Sequence, residues 1–266
     1  MIEKQTVMNK GYVTLHEARG NDLSVVNAAR VSYNKESHEL TKKDEGLIRF
    51  LGRDGHTSPF RHSTMVFEVY APLMVARQWW KYIIGSDHAD QPFSNVDRMV
   101  GWNESSRRYI SDEIEFVEVS PAEWRSAPAN SKQGSGEPID SEKGKEFTEM
   151  LESYQRTGLM AYESALENGI APEQARLFLP AYGLFVRWRW HASLQGVCHF
   201  LYQRLKHDAQ SEIRDYAEVV YVMAIKHFPN AVKAAVDTPI KQDKLLEHLR
   251  GLGIEDIDTF KEWQKY

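Results

Sequence analysis

The chain has one cysteine, Cys198, in 266 residues. An intrachain disulfide is therefore excluded, and so is a cysteine-rich zinc site. No uninterrupted run of about 20 apolar residues occurs, so no helical membrane span is expected. The opening Met1-Ile2-Glu3-Lys4 lacks the apolar stretch of a signal peptide, which makes the cytoplasm the expected location. Cationic excess is missing too: 33 Lys and Arg stand against 38 Asp and Glu, for a net charge of −5. Such a chain is a poor general coat for nucleic acid, and an anionic ligand must be gripped by a local cluster of cations. Apolar side chains are not scarce. They make up 42% of the sequence against 27% charged residues, enough for a proper core. The length suits a single domain over 1–266.

Periodicity predicts an α+β fold, with a mixed or antiparallel sheet flanked by helices and one long central helix. Residues 12–15 and 64–70 read as strands; Met65, Phe67 and Val69 alternate onto one face. Residues 22–29 read as a helix. Thr41-Lys42-Lys43-Asp44 reads as a capping box that opens another. Pro72 suits the first turn of a helix over 73–84, and 114–119 alternates as a strand. The stretch 127–144 is rich in Pro, Gly, Ser and Lys and reads as an exposed insertion, since core-like sequence resumes after it. Helices are expected over 147–166 and 172–179. From 193 to 228 no Gly or Pro follows Gly196, and Leu194, Val197, Leu201, Leu205, Ala209, Ile213 and Ala217 keep one apolar stripe. Residues 245–266 read as a helical appendage.

Several clusters carry chemistry. On a helix, Arg77 and Lys81 share a face, with Gln78 beside Lys81; two cations and an amide suit a phosphate plus a hydrogen-bonding base, or simply a solvated face. Asn103-Glu104-Ser105-Ser106-Arg107-Arg108-Tyr109 offers two guanidinium groups for bidentate phosphate contacts, and its serine amides suit a small anion nest. The run is equally compatible with a polar surface loop. If 193–228 is one helix, Ser193, Arg204 and Ser211 fall within about 20° around its axis. Arg204 then sits at the edge of the apolar stripe and needs a partner, either Asp208 or a polar ligand. His56 and His62 lie six apart in a turn, and His191, His199 and His207 rotate by about 80° each around a helix, so no metal site is expected. Cys198 lies on the apolar stripe and reads as a packing residue, since a reactive thiolate needs cationic, partly exposed surroundings. Trp188-Arg189-Trp190 offers a reading as a base-stacking surface.

Several of these pieces, in order, resemble the flavin-dependent thymidylate synthase family of ThyX type. They are Asn27-Ala28-Ala29-Arg30-Val31-Ser32-Tyr33, His56-Thr57-Ser58-Pro59-Phe60-Arg61-His62, Ala76-Arg77-Gln78-Trp79-Trp80, Asn103 through Tyr109, Ala175-Arg176-Leu177-Phe178-Leu179-Pro180, and Arg204 through Arg214. The set spans most of 11–230. The resemblance marks a divergent member. Lys81-Tyr82-Ile83 stands where the family reads Arg-His-Arg, a longer loop over 85–101 precedes Asn103, and Asp208 stands where the family often has His. The Asn-x-Arg-Ser pattern of many members is altered around Ser193-Leu194-Gln195.

The resemblance implies a ThyX-type fold and the reductive methylation of dUMP to dTMP, with methylenetetrahydrofolate as carbon donor and FAD reduced by NADPH as hydride source. By position, dUMP would meet Gln78, Lys81, Glu104, Ser105, Ser106, Arg107, Arg108, Arg176 and Arg204. Ser106 and Arg108 would take the phosphate, and Arg204 would face the pyrimidine. FAD would meet Ser32, Ser58, Arg61, Lys81, Tyr82, Ile83, Glu104, Ser193, Gln195, His199 and Gln203, with His56 near flavin and folate. Arg204 and His56 are the implied catalytic residues. Family members are homotetramers with shared sites, so self-association is implied, and neither nucleic acid nor membrane. The mechanism needs no enzymic cysteine, in keeping with the setting of Cys198. Two alternatives stay open: a related enzyme that leaves a hydroxymethyl group on the pyrimidine, and a non-catalytic nucleotide binder.

Overall fold

The computed structural model describes residues 3–84, 101–106, 113–128 and 134–236, with the side chains of 82–84 excepted. Strands β1 (Glu3–Val7) and β2 (Gly11–Arg19) form a hairpin whose turn places Met8 and Asn9 at φ of 51° and 59°. Helix α1 (Asp22–Arg30) follows, capped by Asn21. Helix α2 (Lys42–Arg53) starts at the capping box its sequence predicts. Thr41 N donates to Asp44 Oδ2 at 2.9 Å, and Asp44 N donates back to Thr41 Oγ1 at 3.4 Å. Then come β3 (Thr64–Pro72), α3 (Leu73–Ile84), β4 (Gly101–Glu104), α4 (Ser141–Glu167), α5 (Pro172–Ala175), β5 (Phe185–Ser193), α6 (Leu194–Arg204), α7 (Ser211–His227) and α8 (Pro229–Val236).

The five strands make one antiparallel sheet in the order β1-β2-β3-β5-β4. β3 and β5 pair along their whole length, from Thr64 opposite Ser193 to Pro72 opposite Phe185. Each runs without a loop into a helix, β3 into α3 and β5 into α6, so both helices are placed directly by the sheet.

The sheet is one-sided, as strict alternation requires. Met65, Phe67 and Val69 of β3 and Trp188, Trp190 and Ala192 of β5 are buried. The other face carries Glu68 and Arg189, with Arg189 Nη2 3.6 Å from Glu68 Oε2. On the buried face Trp79 of α3 meets the rings of Trp188 and Trp190 edge-on, 5.4 Å between centroids, and stacks on Phe200 of α6 at 4.1 Å. Such aromatic pairs add to burial and lock α3 and α6 onto the sheet. They also overturn the base-stacking reading of Trp188-Arg189-Trp190, because both indoles face the core.

Three further expectations are corrected. The stretch 193–228 is not one long central helix. Ser193 ends β5 and caps α6, the chain turns through 205–210, and α7 begins at Ser211. Leu205 and Ala209 bury within the turn, so tertiary packing overrides an unbroken helical pattern. The angular argument that aligned Ser193, Arg204 and Ser211 lapses with it, as does the rotation argument for His191, which lies in β5. Residues 114–119 form no strand; Phe116 makes one isolated bridge with Leu184. Pro72 closes β3 and does not begin α3. Where it is described, the stretch 127–144 is largely exposed; Arg125 bridges Pro138 at its edge, and α4 takes over from Ser141. Gly144 is required there, since a Cβ on it would lie 2.0 Å from the Pro121 carbonyl oxygen. The appendage at 245–266, the loop over 85–100 and residues 129–133 lie outside the described residues.

Candidate active site

Helix α6 is the spine of the site, with predicted residues at both ends. At its N-terminal end Ser193 Oγ accepts from Gly196 N at 3.1 Å, the bond that caps the helix. Two residues on, the Gln195 side-chain oxygen accepts from Arg61 Nε, 134 positions away in sequence. Arg61 lies in the 3-10 turn Ser58–His62, which packs against α1 and α6 and leaves Ser58 and His62 exposed. His56 is exposed just before this turn, its ring 5.6 Å from that of Phe50. Ser32 is exposed on the 3-10 turn Val31–Tyr33. His199 and Gln203 follow Gln195 at spacings of four, on one face of α6, and all three are buried.

The C-terminal end of α6 lies about 13 Å further along the axis. There Arg204 Nη1 donates to Gln78 Oε1 at 3.3 Å, and Gln78 Nε2 donates to Gln210 Oε1. Lys206 Nζ donates to Gln203 Oε1 at 3.1 Å. These groups open onto a cleft of about 980 Å³, lined among others by Gln78, Lys81, Gln203, Arg204, Lys206 and Tyr182. A polar floor of amides and cations in a concave space of this size matches the usual anatomy of a small-molecule site.

The predicted nucleotide set divides. Gln78, Lys81 and Arg204 converge on the cleft. Arg204 also meets a partner that its sequence neighbourhood does not offer: the Gln78 amide accepts from it. Arg77 points to the exposed side of α3, towards Glu104. Desolvation holds the Glu104 carboxyl above its ordinary value, with Trp102 and Arg77 offsetting part of the rise. Glu104 does not line the cleft within one chain. Ser105 is used by the sheet: its amide donates to Arg187 O at 2.7 Å and its Oγ accepts from Arg187 N at 3.1 Å. That corrects the reading of its amide as part of an anion nest. Ser106 is half-buried beside it. Arg176 sits on an exposed 3-10 turn with Nε donating to Glu173 O at 3.2 Å, away from the cleft. Arg107 and Arg108 lie outside the described residues, as do the side chains of Tyr82 and Ile83.

Sequence reasoning missed three residues at this site: Gln210, Arg125 and Glu212, all lining the cleft. Gln210 stands inside the matched Arg204–Arg214 run, and an amide beside buried Ala209 was a usable signal. Glu212 stands in the same run, whereas Arg125, its partner 87 positions away, lies outside every matched motif and gave no signal. Cys198 is fully buried, and burial pushes its thiol far above the ordinary value, with Asp22 adding to the shift.

A one-sided antiparallel sheet delivers two helices to a cleft of amides and guanidiniums, an α+β architecture with a concave site sized for a small polar ligand. The family follows from comparison. A profile described as thymidylate synthase complementing protein matches residues 14–230, and the chain belongs to that family. The flavin-dependent thymidylate synthase of Wolbachia pipientis is 34% identical over 237 residues, 89% of this chain and 78% of that protein. That of Thermus thermophilus is 36% identical over 226 residues, covering 85% and 75%. Among solved structures, PolB of Streptomyces cacaoi, a UMP/dUMP methylase, superposes with a TM-score of 0.69 in its complex with 5-Br dUMP. Identity there is 27%, covering 85% of this chain and 94% of that one. Its complex with 5-Br UMP gives a TM-score of 0.68 at 26% identity.

Proposed function

We propose that the protein catalyses the flavin-dependent reductive methylation of dUMP to dTMP. Methylenetetrahydrofolate supplies the carbon and NADPH the reducing equivalents. The observation that carries this reading is the meeting of Gln78 and Arg204 at the edge of the cleft, from two helices that the sheet places separately.

Each role follows from residue chemistry. Gln78 offers a donor and an acceptor on one rigid amide, which suits the imide edge of uracil. Methylation at C5 makes negative charge develop on the ring oxygens. Arg204, held by Gln78, would stabilise that charge, and preorganised electrostatics of this kind usually form the largest catalytic contribution. Lys81, Ser106 and Arg108 serve the phosphate. No protein nucleophile takes part, and the buried Cys198 is not available for one.

Ser32, Ser58, Arg61, Gln195 and His199 fit a flavin dinucleotide. These five offer a guanidinium and hydroxyls for a pyrophosphate and an amide for a polar ring edge; Glu104, the one carboxylate of the implied FAD set, would join them beside Lys81. FAD, when bound, supplies the hydride that NADPH provides. Arg61 and Gln195 orient each other in the chain alone, so this end of α6 is preformed. His56, exposed just before the turn that carries Arg61, would serve the folate.

Self-association belongs to the same proposal. Arg176 is carried on an exposed turn flanked by Leu177, 81% exposed, and Phe178, 52% exposed. A homotetramer covers these apolar groups and brings Arg176 to a neighbouring subunit's cleft. Sedimentation velocity reads the assembly directly. A cytoplasmic location completes the proposal; among the described residues no helix is long and apolar enough to cross a membrane.

The test is NADPH oxidation by the FAD-loaded protein in the presence of methylenetetrahydrofolate, with and without dUMP. Oxidation that accelerates with dUMP supports the reading. A protein with no affinity for FAD or dUMP ends it.

A further inference from the structure

Gln210 stands at the N-terminal boundary of α7, the position from which a side chain usually closes the first turn. Its side chain makes no such bond. It reaches instead to α3, where Met74 and Gln78 lie four apart on one face. Gln210 Oε1 accepts from Gln78 Nε2, and Gln210 Nε2 donates to Met74 Sδ at 3.8 Å. Gln78 Oε1 in turn accepts from Arg204 Nη1 at 3.3 Å. The four side chains form one line of donors and acceptors, and all four line the cleft.

The two ends of this line are of opposite kind. A guanidinium only donates, and a thioether only accepts. Arg204 therefore draws the Gln78 oxygen to itself, which leaves the Gln78 NH2 for Gln210. The Gln210 oxygen faces that NH2, and the Gln210 NH2 falls to the sulfur. If Gln78 turns over alone, NH2 meets guanidinium on one side and oxygen meets oxygen on the other. If Gln210 turns with it, the conflict at Arg204 stays and an oxygen is set against the Met74 sulfur. All four side chains are half-buried, where a mismatched donor or acceptor is costly. The sense of the Gln78 amide is thus fixed from both ends.

A fixed sense has a consequence for the base. After these bonds one N–H and one oxygen lone pair of Gln78 remain for a ligand. Uracil offers an oxygen beside an N–H donor. Cytosine offers an NH2 beside a bare ring nitrogen, the reverse order. An amide free to turn over pairs with either edge, whereas an amide of fixed sense pairs with one. We infer that Gln210 makes the cleft select uracil over cytosine nucleotides, by locking the Gln78 amide between Arg204 and Met74. Gln210 is the positioning residue, and Gln78 reads the base. The inference rests on the reading of Gln78 as the group that meets the imide edge, and adds to it a cause for base discrimination.

The experiment measures dissociation constants for dUMP and dCMP by titration calorimetry on the full FAD-loaded protein. Wild type is compared with Gln210→Met, Gln210→Glu and Met74→Leu, with thermal melts as fold control. A neutron structure of the wild type places the deuterons of both amides. Wild type is expected to prefer dUMP, with the Gln78 ND2 group facing Gln210. Gln210→Met lets Gln78 turn over and should lower the preference about tenfold, the order of one hydrogen bond, chiefly through tighter dCMP. Gln210→Glu keeps an acceptor opposite the Gln78 NH2 and should preserve the preference. Met74→Leu frees the outer end, should lower the preference in the same direction, and serves if Gln210→Met does not fold. Equal affinity of the wild type for the two nucleotides, equal weakening of both in Gln210→Met, or a Gln78 ND2 group facing Arg204 overturns the inference. A wild type that binds neither nucleotide overturns the proposed function instead, and the neutron structure still decides the sense of the amides.

Discussion

Arg204 and Gln78 stand 126 positions apart in the chain and meet at 3.3 Å, guanidinium nitrogen to amide oxygen. One closes α6 and the other lies in the second turn of α3, and both helices grow directly out of the paired central strands. Their separation is therefore set by the β3–β5 register and by the indole of Trp79 packed between sheet and helix. A site mounted this way is held by regular elements, which suits electrostatic preorganisation.

Arg204→Ala is expected to lower kcat/KM for dUMP by about 10²–10³-fold, the usual cost of deleting a preorganised transition-state donor. Arg108→Ala is expected to be comparably damaging through the phosphate. Circular dichroism and the melting temperature should stay close to wild type, because Arg204 closes its helix and does not pack within it. An Arg204→Ala enzyme with undiminished turnover removes that side chain from the reaction.

Cys198→Ala should retain activity. The thiol is fully buried in the core, and desolvation keeps it protonated at neutral pH. Thiol-directed reagents should likewise leave the folded enzyme active. Loss of all turnover in a folded Cys198→Ala variant contradicts a nucleophile-free mechanism.

Asp22 is the buried anchor between α1 and α8. Its carboxylate accepts from Asn230 N and Asn230 Nδ2, each at 2.8 Å, and from Ala231 N at 3.0 Å. Asp22→Ala leaves those buried donors without an acceptor and should cost roughly 3 kcal/mol in urea unfolding. A loss below about 1 kcal/mol means that water replaces the carboxylate at no great penalty.

The acidic pair on α7 gives the protein a pH signature. Burial raises Asp215 to about 6, with Glu212 and Glu123 adding to the rise and Arg214 and Arg125 opposing it. Burial and then Asp215 raise Glu218 to about 7. A carboxyl whose pKa is higher folded than unfolded binds more protons in the native state. Its contribution is complete below the ordinary carboxylate pKa and is lost as pH rises through the folded value. Between pH 4 and 7 these two groups should therefore make stability fall with rising pH. Asp215→Asn and Glu218→Gln should flatten that slope and gain roughly 1–3 kcal/mol at pH 8 relative to wild type. Urea unfolding at pH 5 and pH 8 reads it; variants that lose stability at pH 8 contradict the assignment.

What the sequence revealed was mostly local. The Thr41–Asp44 box is legible because both partners lie within one turn, and β3 is legible because its alternation is unbroken. The end of α6 is not, because Leu205, Ala209 and Ile213 keep helical spacing across the turn and no Gly or Pro marks it. Alternation over 114–119 misled for the opposite reason: the segment lies beside Leu184 with a single bridge and no strand to extend it. At the site, Gln78, Lys81 and Arg204 were legible through ordered motifs. The Arg125–Glu212 pair was not, since nothing in either neighbourhood announces a contact across 87 residues. Arg176 was legible as a motif, yet its place outside the cleft required the fold.

The most direct test is mass spectrometry of the nucleotide formed when the FAD-loaded protein turns over dUMP with methylenetetrahydrofolate and NADPH. The account predicts dTMP, its new methyl carbon carrying the label of an isotopically marked folate. Recovery of hydroxymethyl-dUMP as the end product, or of unaltered dUMP from a folded, flavin-loaded sample, contradicts it.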